Sequence, residues 1–169
     1  MGIYDVSKLI SETRRLAAEY RKATGKALAV SSEIAKHDAC EFLSLEPVDA
    51  DQQGGFDAIG KHPSWQGMRC QIKGRAIFDE SKSGQRIGQL KLDKEWDAVI
   101  LVLMNEDFVS QEMYMATRSE IEQELDEMDS KRKNRGIMSV ARFKHLGRLV
   151  WNEVDGIVTD EVWTNSSDS

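Results

Sequence analysis

MRCQIKGRAI, residues 68–77, alternates apolar and polar side chains in the manner of an extended strand. Successive side chains on a strand point to opposite faces. Met68, Cys70, Ile72 and Ala76 therefore share one face, and Arg69, Gln71, Lys73 and Arg75 share the other. The first face suits a core. The second sets three cations and an amide in a row.

Outward from this strand, DAVILVLM (97–104) is almost wholly apolar, as expected of a central strand covered on both faces. Shorter strands are expected at 56–59, 86–92 and 112–116, separated by GKHPSWQG (60–67) and DESKSGQ (79–85), which carry turn residues. Upstream, the apolar positions Ile3, Val6, Leu9/Ile10, Leu16/Ala17 and Tyr20 form a helical stripe, with Gly25 as its C-terminal cap. Ser31 or Ser32 can cap a second helix running to about residue 45, where Pro47 forbids continuation. Downstream, an acidic helix is expected over 117–128, capped near Thr117 or Ser119. A last helix opens at Ser139 and carries Val140, Phe143, Leu146 and Leu149/Val150. The order helix, helix, strands, helix, helix predicts an α/β fold, a mixed central β-sheet of four or five strands flanked by helices. Residues 1–29 read as a helical extension, 30–163 as the α/β domain, and 164–169 as a disordered tail.

A chain of 169 residues can bury a core without staples. Cys40 and Cys70 lie inside apolar patterns, with no C-x-x-C pair, so they read as buried thiols rather than a disulfide or a thiolate metal site. No signal-peptide pattern or membrane-length apolar run occurs, and a cytoplasmic location is expected, without membrane contact. The net charge of −6 argues against a general nucleic-acid coat. The charge is uneven, however. Residues 61–94 hold eight Lys or Arg against three acids, and residues 130–148 hold seven against none. Two basic segments on an acidic body can make a phosphate-facing surface or simply solvated loops.

Q-x-K on a strand means little alone. Its weight comes from Asp57, which follows a Gly-Gly turn and has thirteen residues between it and Gln71, and from Glu33 at the start of the second helix. A helical Glu, then GGFD (54–57), then QIK (71–73) resembles the core of the PD-(D/E)XK, or restriction-endonuclease-like, nuclease superfamily. The resemblance spans roughly residues 30–125, with RIGQLKLDK (86–94) and DAVILVLMNEDF (97–108) placed like the rest of that sheet. Gln71 departs from the pattern, standing where the family usually carries an acid.

The resemblance implies a divalent-metal-dependent nuclease acting on nucleic acid, DNA above all, with Glu33, Asp57, Gln71 and Lys73 as catalytic residues. Asp57 would be the principal ligand of Mg²⁺, or Mn²⁺ in its place. Glu33 would ligate directly or through water, and Gln71 and the Ile72 carbonyl would complete the set. Lys73 would position water and offset charge on the phosphate. Arg75, Arg86 and Lys91 would grip neighbouring phosphates, and Lys131, Arg132 and Lys133 belong to the second basic segment. Gln71 removes one negative charge, which lowers metal affinity and opens the alternative of a nuclease-fold module that binds nucleic acid or protein without cutting. A third reading, an acidic mimic of DNA, draws on SEIEQELDEMD (119–129). His37, one turn after Glu33, is a further candidate for the site. The first helix packs on the domain or pairs two subunits as a homodimer.

Each residue also has a plain alternative. Asp57 can be a turn residue, Glu33 a dipole-favoured helix start, and Lys73 and Arg75 an exposed edge face. No P-loop, G-x-G-x-x-G or G-x-S-x-G occurs, and no Cys and His arrangement for nucleophilic catalysis is recognisable.

Overall fold

The computed structural model describes residues 3–25, 28, 30–49, 54–77, 86–88, 90, 92–127 and 138–159. It is a mixed α/β fold. The elements are α1 (Ile3–Thr24), α2 (Ser31–Phe42), β1 (Leu45–Pro47), β2 (Ala58–Gly60), a 3-10 turn (Pro63–Trp65), β3 (Arg69–Ala76), β4 (Ala98–Met104), β5 (Ser110–Thr117), α3 (Arg118–Asp126), α4 (Val140–Leu146), β6 (Arg148–Asn152) and β7 (Gly156–Ile157). The seven strands form one sheet in chain order. Only β3 and β4 run parallel; every other neighbouring pair is antiparallel.

β4 sits at the centre, with all seven residues buried. Its two faces feed two cores. Ala98, Ile100, Val102 and Met104 join Cys70 and Ile72 beneath Ile34, Ala35 and Ala39 of α2. Val99, Leu101 and Leu103 join Ile121 and Leu125 of α3 and Val140 and Phe143 of α4. Gly74 lets α2 approach β3: a Cβ there would stand 2.5 Å from Ala35 Cβ and 2.9 Å from the Ser31 carbonyl oxygen.

The sheet has more strands than the four or five expected, for local reasons. The second helix stops at Phe42 rather than near residue 45, and Ser44 at φ 55° turns the chain so that Leu45–Pro47 pairs with β2. Neither Ser31 nor Ser32 caps this helix: Val30 is its N-cap, and no side chain bonds to the first turn. The last helix stops at Leu146. Gly147 lies against the Met115 carbonyl, and Leu149 and Val150 belong to β6, paired along β5. A short apolar run fits helix or strand equally well, and here the open edge of β5 decides.

The strand expected over 86–92 is absent from the described residues of that stretch. Arg86 makes one isolated bridge to Ser139, while Ile87 and Leu90 pack into the second core. Parallel neighbours require a crossover connection, which suits the place of Ile87, Leu90 and Trp96 against the second core rather than in the sheet. The acidic helix opens with a capping box. Thr117 Oγ1 accepts from the Glu120 amide at 3.3 Å, and Glu120 Oε1 accepts from the Thr117 amide at 2.9 Å.

α1 ends as expected, with Gly25 at φ 74° and its amide donating to the Arg21 carbonyl. Its packed face, however, takes in only part of the apolar stripe. Ala17 and its neighbour Ala18 are buried and Ile10 is half-buried, whereas Val6, Leu9, Leu16 and Tyr20 are exposed. Arg14 anchors the helix, donating two hydrogen bonds to Asp38 of α2 at 2.9 and 2.8 Å and one to the Phe108 carbonyl at 2.8 Å. No described helix is long and apolar enough to cross a membrane. The tail 164–169 and Trp163 lie outside the described residues.

The starts of β3 and β4 are tied by a two-pronged ion pair. Arg69 Nε and Nη2 donate to the Asp97 carboxylate at 3.0 and 3.1 Å, and the Arg69 amide donates to it at 2.8 Å. These bonds from Arg69 hold the Asp97 carboxyl below the usual carboxylate range. The unfolded chain therefore binds more protons in that acid window, and folding stability rises with pH across it. The contribution is complete above the ordinary Asp value of about 3.9 and is lost as pH falls through the depressed one. Solvent reaches both side chains and screens the pair, so the effect is modest. Thermal melts between pH 2 and 7 should show Arg69→Met with a shallower acid decline than the unmodified chain. Equal declines would discount the pair.

Candidate active site

β2 pairs with β3 only at Ala58–Cys70 and Ile59–Arg69. Beyond Cys70 this ladder stops, and no other described strand pairs with that edge of β3. Asp57 stands where the strands part. Its amide donates to the Cys70 carbonyl at 2.8 Å, and its Oδ2 accepts from the Ile72 amide at 2.8 Å. A carboxylate thus replaces the next rung of the ladder, and the backbone fixes its position. The turn before it needs its glycines, because Gly54 adopts φ 76° and a Cβ on Gly55 would meet the Glu95 carbonyl at 2.9 Å.

A cavity of about 250 Å³ opens along this edge. Asp57, Gln71, Ile72 and Lys73 line it, together with Ser32 and Lys36 from α2 and Arg75 from β3. Among the described residues of the lining, three cationic side chains thus surround a single carboxylate, an excess that favours an anionic ligand. The N-terminus of α2, without a side-chain cap, adds partial positive charge on the Ser32 side. On the far side, Gly88 keeps the space open: a Cβ there would stand 3.4 Å from Arg75 Nη2 and 3.9 Å from Lys73 Nζ.

The residues singled out from sequence are distributed unevenly. Asp57, Gln71, Ile72 and Lys73 meet at the cavity. Glu33 does not line it; its side chain is 69% exposed and reaches the site through Lys36. Lys36 Nζ lies 3.7 Å from Glu33 Oε1 and 3.6 Å from Asp57 Oδ1. Lys36 escaped the sequence reading, although its place three residues after Glu33 puts both on one helix face. His37 pairs with Glu41 at 3.3 Å and is not a lining residue. Arg75 is partly committed: its Nε donates to the Arg86 carbonyl at 2.7 Å and its Nη1 to the Gly74 carbonyl at 2.6 Å. Burial lowers its pKa from the ordinary arginine value. The Arg86 side chain is exposed and outside the lining. Lys91, Lys131, Arg132 and Lys133 fall outside the described residues.

Gln71 is 3% exposed, and its Nε2 donates to the Gly55 carbonyl at 3.0 Å. Its Oε1 is buried with no hydrogen-bond partner among the described residues. A buried acceptor without a donor costs about 1–3 kcal/mol. A cation beside it would remove that cost. By strand alternation, the Ile72 carbonyl shares this edge of β3 with the Ile72 amide that Asp57 receives. One carboxylate, one amide oxygen and one backbone carbonyl form a hard-oxygen donor set of the kind that suits Mg²⁺ or Ca²⁺. The set is sparse: among the described residues no group of three His, Cys, Asp or Glu side chains could hold a metal ion. The residues fit a weakly held dication whose remaining positions come from water and ligand.

The thiols do not compete for this chemistry. Burial pushes Cys40 up to about 11, with Asp57 adding to the shift, and pushes Cys70 up to about 12. Neither forms appreciable thiolate at neutral pH.

No protein-family model matches this chain, and no curated protein is significantly similar to it.

Proposed function

We propose that this protein is a divalent-metal-dependent nuclease of restriction-endonuclease-like type, hydrolysing phosphodiester bonds, with DNA as substrate. The observation that carries the reading is the meeting of Asp57, Gln71 and Lys73 in one cation-rich cavity on the edge of β3 beyond Cys70. Asp57, Gln71 and the Ile72 carbonyl would hold Mg²⁺ or Mn²⁺, with Glu33 joining through water. A dication there would acidify water and polarise a phosphoryl oxygen. Lys73 serves the phosphate directly, by offsetting charge that develops on its oxygens. Arg75 braces the 86–88 segment beside the same space and adds positive potential.

The assay is the purified chain with Mg²⁺ or Mn²⁺ on single- and double-stranded DNA. Cleavage is expected, and Lys73→Ala should slow it by about 10²-fold, the scale seen when one electrostatic stabiliser is removed. An unchanged rate in that variant would remove Lys73 from the mechanism. The ion pair between Lys36 and Asp57, with only one carboxylate among the described lining residues, favours a second reading, a module on this fold that binds DNA without cutting it. DNA binding without cleavage in either metal would select it.

A further inference from the structure

Lys36 lines the cavity and contacts both acids named from the sequence. Its ammonium stands between Asp57 Oδ1 and Glu33 Oε1, at 3.6 and 3.7 Å, on the only carboxylate among the described residues of the cavity lining. Those distances are ion-pair contacts without the shorter approach of a committed hydrogen bond, and the side chain is 35% exposed. It is a flexible point charge on a four-carbon stem, able to swing. Asp57, by contrast, cannot follow it, because Oδ2 is pinned by the Ile72 amide. Asp57 therefore keeps one oxygen for an exchangeable cation, and Lys36 is the cation that holds it.

We infer that Lys36 is a built-in counter-ion of this site, which must leave Asp57 before a dication can take its place. The inference rests on the metal-dependent reading of the cavity. It assigns Lys36 a positioning role that Gln71 alone does not explain. Two cations compete for one carboxylate oxygen, so the ammonium lowers the affinity of the site for metal. A phosphate in the cavity offers Lys36 another partner, which releases Asp57. Metal and phosphodiester then bind with positive coupling. By linkage the coupling is reciprocal: each ligand tightens the other by the same factor. The site stays closed to free metal and becomes competent when its substrate arrives.

The test is calorimetric titration of the full chain with MnCl₂, alone and in the presence of a saturating phosphorothioate-linked thymidine dinucleotide. Three variants are compared with the unmodified protein: Lys36→Met, Lys36→Gln and Asp57→Asn. Lys36→Met and Lys36→Gln should bind Mn²⁺ at least tenfold more tightly without the dinucleotide. They should also lose most of the gain that the dinucleotide gives the unmodified protein. Asp57→Asn should bind Mn²⁺ in neither condition. If the unmodified chain binds Mn²⁺ through Asp57 but both Lys36 variants show equal or weaker affinity, the counter-ion role is overturned and the metal site stands. If neither the unmodified chain nor the Lys36 variants bind Mn²⁺ in either condition, both fall. Melting curves establish that each variant is folded, and the two Lys36 substitutions guard against an artefact of either one.

Discussion

Asp57→Asn is expected to reduce metal-dependent cleavage by about 10³-fold while leaving the fold intact. The two effects separate because Asp57 has two jobs on two oxygens. Oδ2 closes the strand edge by accepting from the Ile72 amide, and an Asn carbonyl can still do that. Oδ1 faces the Lys36 ammonium and contributes the one negative charge among the described lining residues, which Asn lacks. Removing a charge that acts in the transition state lowers kcat by about 10²–10³, and loss of the metal's principal carboxylate belongs at or beyond the upper end. Stability should change by less than about 1 kcal/mol, as for substitutions that leave the main contacts intact. The measurement is initial cleavage rate at saturating Mn²⁺ beside a urea melt of the same preparation. A variant that cleaves DNA as fast as the unmodified chain would remove Asp57 from the reaction and the proposed metal with it.

The largest effect on stability is expected from Asp38→Ala, far from the chemistry. Asp38 is 3% exposed and accepts three side-chain hydrogen bonds: two from Arg14 and one, at 2.7 Å, from the Ser110 hydroxyl. These contacts link α1, α2 and β5, elements that are distant in sequence. Removing the carboxylate strands a guanidinium that is only 25% exposed and a buried hydroxyl. Breaking a buried pair from one side costs about 3–5 kcal/mol. Partial solvent access to Arg14 moderates this, and a loss of about 2–4 kcal/mol is expected. In the double variant Arg14→Met, Asp38→Ala no charge is left stranded, so the two losses should add to less than their sum. Urea denaturation of the four proteins measures both quantities. A loss below about 1 kcal/mol for Asp38→Ala would mean that water replaces the carboxylate freely. Nothing local marks Asp38 as a buried acid on α2; its partners come from α1 and β5.

The candidate site was legible to the extent that strand chemistry is local. Alternation in MRCQIKGRAI separates Cys70 and Ile72 from Gln71 and Lys73 without any tertiary information, and the Gly-Gly turn marks the point where Asp57 can leave its strand. Glu33 and Lys36 show the limit. Both lie on α2, and sequence gives no reason to choose the acid over the ammonium as the group that enters the cavity. The choice depends on how α2 settles on β3, which Gly74 permits by offering no side chain against Ala35. Residues 86–92 show the same limit: their apolar spacing fits a strand, and only the parallel pairing of β3 with β4 makes them part of a crossover.

The amino-acid order by itself determined the central buried strand, the alternating strand beside it, the Thr117–Glu120 capping box and the end of α1 at Gly25. Each depends on near neighbours, through strand pleat, helix caps or glycine dihedrals. Tertiary structure decided which side of α1 is covered, that residues 148–152 extend the sheet instead of a helix, and that Lys36 meets Asp57. Those outcomes depend on open strand edges and on contacts between residues far apart in the chain, which no local pattern encodes.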